Sequence, residues 1–185
     1  MEELKIRSEK VDDVPLILHI ISEMGIGPII DEIIRPHGNR EGLSVGTMIM
    51  IWLSYILTII KGQPLGLRSL FIKREDHLIG LVRLLSLALS VLTLTEFLVR
   101  QALHNSNESL SGLYSGNPNR KTSSPSAQRL LKAFRGIFLS IVSLPGKTVF
   151  HLSPLSALQS QIISLLGLPV SIYHVLISDI SFSFP

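Results

Sequence analysis

The feature that most constrains this chain is an uncharged, mostly apolar run between Glu41 and Lys61. Its nineteen residues, 42–60, would extend roughly 28 Å as a helix, close to the roughly 30 Å of a bilayer's hydrocarbon core. Length therefore permits a membrane crossing. The same run could equally be the buried central helix of a small soluble domain, because helices that are apolar on all sides occur in both settings.

The weakly polar side chains within this run favour the soluble interpretation. They recur at helical spacing and form one narrow stripe: Ser44, Thr47, Ser54 and Thr58. Two amphipathic segments precede the run, and a central helix would cover their apolar faces. A stripe of small residues also suits contact between membrane helices, so the membrane alternative stays open.

Local signals predict three helices in the first third of the chain. Asp13 is placed to cap the first helix, Pro15 lies in its first turn, and Gly25 follows its last residue. Pro28 opens the second helix, and Ser44 is placed to cap the third. The predicted helices are 13–24, 28–34 and 44–60.

Composition excludes several classes of protein. There is no cysteine, which removes disulfide frameworks, thiol nucleophiles and cysteine zinc sites. With 46% apolar and 17% charged residues and a mean hydropathy of +0.42, the chain is too apolar for intrinsic disorder. The charged start MEELKIRSEKVDD lacks the apolar core of a secretory signal, so we expect no secretory signal peptide.

Charge is distributed unevenly along the chain. Residues 1–76 contain 11 acids and 9 bases, whereas 77–185 contain 8 bases and only 3 acids. Clear helix caps are also missing from the later part. We therefore expect a mainly α fold, with a small helical domain at 1–60 and a poorly specified remainder at 61–185 that contains apolar segments able to form helices.

Five short motifs between residues 11 and 58 form a distinctive pattern. They are Val11-Asp12-Asp13-Val14-Pro15, Ile30-Asp31-Glu32, His37-Gly38-Asn39, Gly42-Leu43-Ser44 and Trp52-Leu53-Ser54-Tyr55-Ile56-Leu57. Together they closely resemble the N-terminal domain of DDE-type transposases from bacterial and archaeal insertion sequences. The resemblance implies a helical module of a soluble cytoplasmic protein, serving DNA binding or subunit contact, in which 42–60 is a core helix.

The pattern stops abruptly after Thr58. Members of that family usually continue with an acidic residue, then His or Asn, then Arg-Leu, whereas this chain reads IIKGQPLGLRS. One allowed coding of 61–66 is AAA GGA CAA CCG CTT GGG, which read one base later encodes Lys-Asp-Asn-Arg-Leu. We therefore predict a frameshift near 59–61, which would make this chain a truncated copy continued out of frame.

No catalytic, cofactor-binding or metal-binding residue is predicted. The pairs Asp12-Asp13 and Asp31-Glu32 are the kind of acids that hold Mg²⁺ in phosphoryl transfer, but a helix cap and a solvated helix face account for them. His37 beside Asn39 lacks a second ligand at metal-binding spacing. The resemblance implies that the intact enzyme needs a divalent metal, bound by three acids in a later nuclease domain.

One basic segment, residues 119–135, is the candidate nucleic-acid contact. It contains five cations and no acid: Arg120, Lys121, Arg129, Lys132 and Arg135. The spacing of the last three places them on one side of a helix, where they could contact phosphates. A solvated basic segment, or an unselected reading frame, explains the same pattern, since no stacking aromatic is arranged around it.

The sequence leaves three hypotheses, two of which assign a function and one of which assigns none. The leading hypothesis is a non-catalytic transposase fragment that binds DNA weakly, self-associates and is insoluble when isolated. The alternative is a small integral membrane protein with spans at 42–60, 78–95 and 162–177, although Arg83, Gly167 and Pro169 weaken the last two. The third is a translated pseudogene.

Overall fold

The computed structural model describes residues 5–34, 42–60, 75–144 and 147–178. In chain order its elements are β1 (Lys5–Lys10), α1 (Val14–Glu23), α2 (Ile26–Ile33), α3 (Val45–Ile60), α4 (Glu75–Ser106), α5 (Ala127–Lys132), β2 (Phe138–Leu144), β3 (Lys147–Leu152), α6 (Ala157–Leu165), a 3-10 helix (Val170–Tyr173) and α7 (Val175–Ser178).

The fold is mixed α/β, so the predicted mainly α fold is wrong. The protein is 57% helical, and three strands form an antiparallel sheet in the order β1-β2-β3. β1 pairs along its whole length with β2, from Lys5 opposite Ser143 to Lys10 opposite Phe138. Its charged, exposed sequence shows no apolar alternation, so only pairing with a distant strand identifies it as a strand.

The first three helices confirm the predicted ones to within two residues. Gly25 ends α1 in the left-handed conformation at a φ of 68°, which glycine adopts without steric cost. Ser44 caps α3, because its Oγ accepts a hydrogen bond of 3.1 Å from the backbone N–H of Thr47. Asp13 occupies the N-cap position of α1, but its side chain makes no capping hydrogen bond.

Two glycines allow α2 and α3 to cross at very short distance. A Cβ atom added to Gly46 would lie 2.1 Å from the carbonyl oxygen of Gly27. A side chain at position 46 would therefore force the two helices apart. At the same crossing, Oδ1 of Asp31 accepts a hydrogen bond of 2.7 Å from the Gly46 N–H. Asp31 is therefore a half-buried link between helices, whereas Glu32 beside it is exposed as predicted.

One apolar core draws on residues before and after the boundary predicted at residue 60. Its buried members include Leu16, Ile21, Leu53, Leu57, Val99, Leu103, Leu130, Phe134, Ile162 and Tyr173. A shared core is what a selected sequence forms, because an out-of-frame segment has no apolar pattern matched to the first three helices. The division at residue 60 and the frameshift stay predictions, and 61–74 lie outside the described residues.

The helix α3 is buried on one face only. Leu53, Ser54 and Leu57 face the core, and the Ser54 hydroxyl donates to the Ile51 carbonyl oxygen at 2.7 Å. The opposite face is apolar and open, with the side chains of Trp52 and Tyr55 exposed by 64% and 65%. This differs from the predicted central helix, because α1, α2 and α4 cover one side of α3 and none of the described elements covers the other.

By length and composition alone, the described residues contain one helix that could cross a membrane, Ile79–Ser106. There are up to three such spans if each of two bent helix pairs is counted as one span. The pairs are Val14–Glu23 with Ile26–Ile33, bent by 59°, and Ala157–Leu165 with Val170–Ile177, bent by 115°. The predicted span 78–95 overlaps Ile79–Ser106, and 162–177 falls within the second bent pair. The predicted span 42–60 corresponds to a shorter apolar helix.

Candidate nucleic-acid interface

The loop that joins α4 to α5 is closed at its base by a β-bridge. Leu110 and Thr122 each donate a backbone N–H to the other's carbonyl oxygen, both at 2.9 Å, and Leu110 is fully buried. Within the loop, the Gly112 N–H donates to the Pro118 carbonyl oxygen at 2.8 Å. The loop's own backbone therefore holds its shape.

Two successive turns in this loop bring Tyr114 and Arg120 together. The Asn117 N–H donates to the Tyr114 carbonyl oxygen at 3.0 Å, and the Arg120 N–H donates to the Asn117 carbonyl oxygen at 3.1 Å. As a result, the guanidinium carbon of Arg120 lies over the Tyr114 ring, 4.3 Å from its centroid. This is a cation–π contact.

The helix α5 adds a second guanidinium to the same ring. The guanidinium carbon of Arg129 also lies 4.3 Å from the Tyr114 centroid, and its Nη1 donates to the Tyr114 hydroxyl at 2.9 Å. Tyr114 therefore holds two arginines that come from different parts of the structure, one from the loop and one from α5. The ring's negative face offsets part of the repulsion between the two positive charges.

A cleft of about 400 Å³ opens beside this ring. Three cations line it, Arg120, Arg129 and Lys132, together with the polar residues Ser115 and Asn117 and with no acidic residue. Because Arg129 and Lys132 are three residues apart on α5, their side chains share one side of that helix. A concave surface with positive charge only attracts anions, and phosphate groups above all.

The helix α5 is fixed against α4 by the half-buried ion pair of Glu96 and Arg100. Oε2 of Glu96 accepts a hydrogen bond of 2.8 Å from the Ala127 N–H, and Nε of Arg100 donates to the Pro125 carbonyl oxygen at 3.0 Å. Leu130 and Leu131 anchor the other side of α5 in the core. The arginine-bearing helix is therefore attached to the protein at several points.

The structure brings together three of the five predicted contact residues. Arg120, Arg129 and Lys132 line the cleft, whereas Lys121 is exposed outside it. Arg135 is also exposed and lies beyond the end of α5 at Lys132, in the turn that follows.

Sequence reasoning missed the residue at the centre of the cleft. Tyr114 is the one aromatic residue between Phe97 and Phe134, in a stretch of small and polar residues. An isolated aromatic in a loop of mostly small and polar residues is a signal for a surface role, since binding residues are often carried on loops. Its contact with both arginines depends on the loop closure and could not be read from spacing.

Acidic residues do not assemble a metal site in the part of the chain that the structure describes. No group of three or more His, Asp or Glu side chains there is placed to hold a metal ion. Glu96 is engaged with α5, and Glu108 is exposed. Asp179, His37 and Asn39 lie outside the described residues.

The paired acids near the N-terminus belong to a buried junction instead. Oδ1 of Asp12 accepts a hydrogen bond of 2.8 Å from the Gly136 N–H, and Lys10 lies 3.4 Å from its Oδ2. The Asp12 carbonyl oxygen accepts a hydrogen bond of 2.8 Å from the Tyr173 hydroxyl. This junction ties the start of α1 to the turn before β2 and to the 3-10 helix.

Asp13 is fully buried in the same region. Burial raises the pKa of Tyr173 far above its ordinary value, and the nearby charges of Asp13 and Asp12 raise it further. Tyr173 therefore stays a neutral hydrogen-bond donor. Its ring stacks on Phe134 with the centroids 6.1 Å apart, which places the junction inside the core.

A comparison of the chain with protein-family models, with curated proteins and with solved structures finds no match in any of the three. Fold and site together define a mixed α/β protein with a small antiparallel sheet and a basic cleft built around one tyrosine. The transposase resemblance of 11–58 therefore stays a prediction from sequence motifs alone.

Proposed function

We propose that this chain is a cytoplasmic, DNA-binding part of an insertion-sequence transposase, and that it does not itself catalyse strand cleavage. The observation that carries the DNA-binding half of the proposal is the cleft around Tyr114. The cleft lies after residue 60, so this half of the proposal requires that the segment is a selected sequence and not an out-of-frame one. Three cations converge there from two separate elements without an acidic neighbour in the cleft. Neutralising phosphates with Arg and Lys is the main source of affinity in sequence-independent DNA binding.

The transposase half of the proposal rests on the motifs of 11–58, several of which have defined tertiary roles. Asp12 joins α1 to the turn before β2, Asp31 joins α2 to α3, and Ser44 caps α3. Side chains with such roles are constrained in identity, because replacing them removes the acceptor of a backbone N–H, two of which are partly buried. The motif pattern is therefore consistent with a selected module.

The test of DNA binding is a fluorescence-anisotropy titration of labelled duplexes at several salt concentrations. We expect weak binding that is indifferent to sequence, and a binding constant that falls steeply as salt rises. The charge-matched control is Arg83→Ala, because Arg83 is exposed on α4 and lies outside the cleft. Binding that does not depend on salt would contradict the proposal.

The test of catalytic silence is incubation of purified protein with supercoiled DNA and with Mg²⁺ or Mn²⁺. We expect neither nicking nor strand transfer, since DDE chemistry needs three acids converging on divalent ions. Metal-dependent cleavage that is lost in Glu96→Ala, Glu108→Ala or Asp179→Ala would overturn this part of the proposal. Glu96→Ala needs a folding control because Glu96 holds α5.

A second candidate function, a small integral membrane protein, is favoured by the length and composition of Ile79–Ser106. Against it, one face of α4 already packs in the protein core through Ala88, Val91 and Val99, and its second half carries the Glu96–Arg100 ion pair. Membrane fractionation with protease digestion separates the two candidates. A protected fragment that spans 79–106 and is released only by detergent would favour the membrane protein.

A further inference from the structure

The geometry points to the Tyr114 cleft as a discrete phosphate site, in which Arg120, Arg129 and Lys132 hold one backbone phosphate and no base is read. This inference rests on the proposed DNA-binding function and names the part of DNA that the site recognises. It also assigns Tyr114 a positioning role, which is to hold one arginine of the loop and one arginine of α5 at the same anion.

The positive charges that line the cleft are not balanced by a carboxylate in its lining, so the cleft should bind an anion. Neither Arg120, Arg129 nor Lys132 has a carboxylate partner among the residues that line the cleft. Tyr114 occupies one N–H of Arg129, but a guanidinium has five N–H donors. The remaining donors, with the ammonium of Lys132, match the several acceptor oxygens of a phosphate, which guanidinium groups bind in bidentate geometry.

The backbone elements that carry the two arginines are held in place, which distinguishes this cluster from a chance arrangement of exposed side chains. Arg120 is carried by a loop closed at Leu110 and Thr122, and Arg129 by a helix bonded to Glu96. The cation–π contacts restrict both guanidinium groups before any ligand arrives, so less side-chain entropy is lost on binding. A cleft of about 400 Å³ is large enough to admit a phosphodiester.

Base reading is disfavoured by what surrounds the anion position. The aromatic ring in the cleft is already in contact with two guanidinium groups, so a base would have to displace an arginine in order to stack at either contact. A single amide side chain, that of Asn117, lines the cleft. Specific recognition needs polar side chains aimed at base edges, whereas phosphate contacts set position without reading sequence.

The first experiment measures the salt dependence of DNA binding for the whole chain and its variants. Because the whole site neutralises one phosphate and so contributes about 0.9 to the slope of log Kobs against log salt, Arg120→Ala and Arg129→Ala should each weaken binding and reduce that slope by part of this amount, equally for AT-rich and GC-rich duplexes. Arg83→Ala should leave the slope unchanged. Circular dichroism and the urea midpoint of each variant confirm that it is folded.

Tyrosine variants test the positioning role separately. Tyr114→Phe keeps the ring and loses only the hydroxyl that accepts from Arg129, so it should retain most of the slope. Tyr114→Leu removes both cation–π contacts and should weaken binding with less change in slope than an arginine variant, because the charges remain. Equal binding by Tyr114→Leu and the wild type would contradict the positioning role.

Pyrophosphate is the second probe, used in isothermal titration calorimetry with the protein alone. We expect binding to the wild type and to Arg83→Ala, and a loss of binding in Arg129→Ala. DNA binding with slopes unaltered in both arginine variants would overturn the phosphate site and leave the proposed function standing. Pyrophosphate binding at this cleft without any DNA binding would overturn the proposed function and leave the phosphate site standing.

Discussion

At the scale of single residues, Asp12 shows how a motif residue acquires a structural role. Its φ of 42° is in the left-handed region, where Asp and Asn are tolerated better than most residues with a Cβ. That conformation accompanies a side-chain hydrogen bond to Gly136 and a backbone hydrogen bond from Tyr173. Composition and spacing classify the residue only as one of two adjacent acids, because the partners in these two hydrogen bonds, Gly136 and Tyr173, are remote in sequence.

Replacing Asp12 therefore has a predictable cost. Asp12→Ala removes the acceptor for the Gly136 N–H and places alanine in the left-handed region, so we expect a loss of about 2–4 kcal/mol in the free energy of unfolding. Asp12→Asn keeps an acceptor oxygen and tolerates the same φ, so it should lose much less. Urea denaturation of the two variants measures the difference, and equal losses would contradict the role of the hydrogen bond.

The buried hydroxyl of Tyr173 predicts a loss of stability at high pH. Because the pKa of Tyr173 is raised in the folded protein above its ordinary value of 10.0, the folded state retains a proton that the unfolded state releases. The stabilisation is complete below pH 10 and declines as pH rises above it. Tyr173→Phe should reduce the decline in unfolding free energy between about pH 10 and 11, measured by urea denaturation.

At the scale of elements, the crossing of α2 and α3 depends on the absence of side chains. Gly46→Ala would place a Cβ 2.1 Å from the Gly27 carbonyl oxygen and force the helices apart. We expect a loss of about 1–3 kcal/mol in the free energy of unfolding, as for other overpacked interiors.

The matched control for this crossing is Gly80→Ala in α4, where a Cβ meets no atom within 4 Å. Alanine there should raise the free energy of unfolding by about 0.5–1 kcal/mol, since glycine is unfavourable in a helix interior. Thermal or urea unfolding of the two variants should give shifts of opposite sign. Shifts of the same sign would mean that the short contact at Gly46 is not a constraint.

The open face of α3 predicts poor solubility. Trp52 and Tyr55 are both largely exposed, and Ile51 beside them is 43% exposed, so the face is apolar over more than one turn. Exposed apolar patches promote association. The double variant Trp52→Gln, Tyr55→Gln should increase the soluble fraction of expressed protein without lowering its unfolding midpoint, because neither side chain is part of the buried core.

The candidate site also belongs to the scale of elements. The basic character of 119–135 and the involvement of Arg120, Arg129 and Lys132 were predictable, because a run of cations without acids is visible in the sequence. Tyr114 and the exclusion of Arg135 were not. They depend on a loop closed by the Leu110–Thr122 bridge and on the end of α5 at Lys132, which are set by tertiary contacts.

At the scale of the whole molecule, β1 and the shared core predict a single unfolding transition. The strand β1 pairs with β2 near the other end of the chain, and the core includes residues from both sides of the predicted boundary. In urea, the near-ultraviolet circular dichroism, to which the buried and stacked Phe134 and Tyr173 contribute, and the far-ultraviolet circular dichroism should change together. Two separate transitions would support independent segments before and after residue 60.

The sequence by itself determined the first three helices, since caps, a proline in the first turn and a glycine stop act within a few residues. It also identified the basic segment, because charge needs no tertiary context. Only the tertiary structure decided that the N-terminal segment is a strand, that Asp31 links two helices and that Tyr114 gathers two arginines. Each of these depends on contacts with residues that are distant in the chain, and local periodicity carries no information about such partners.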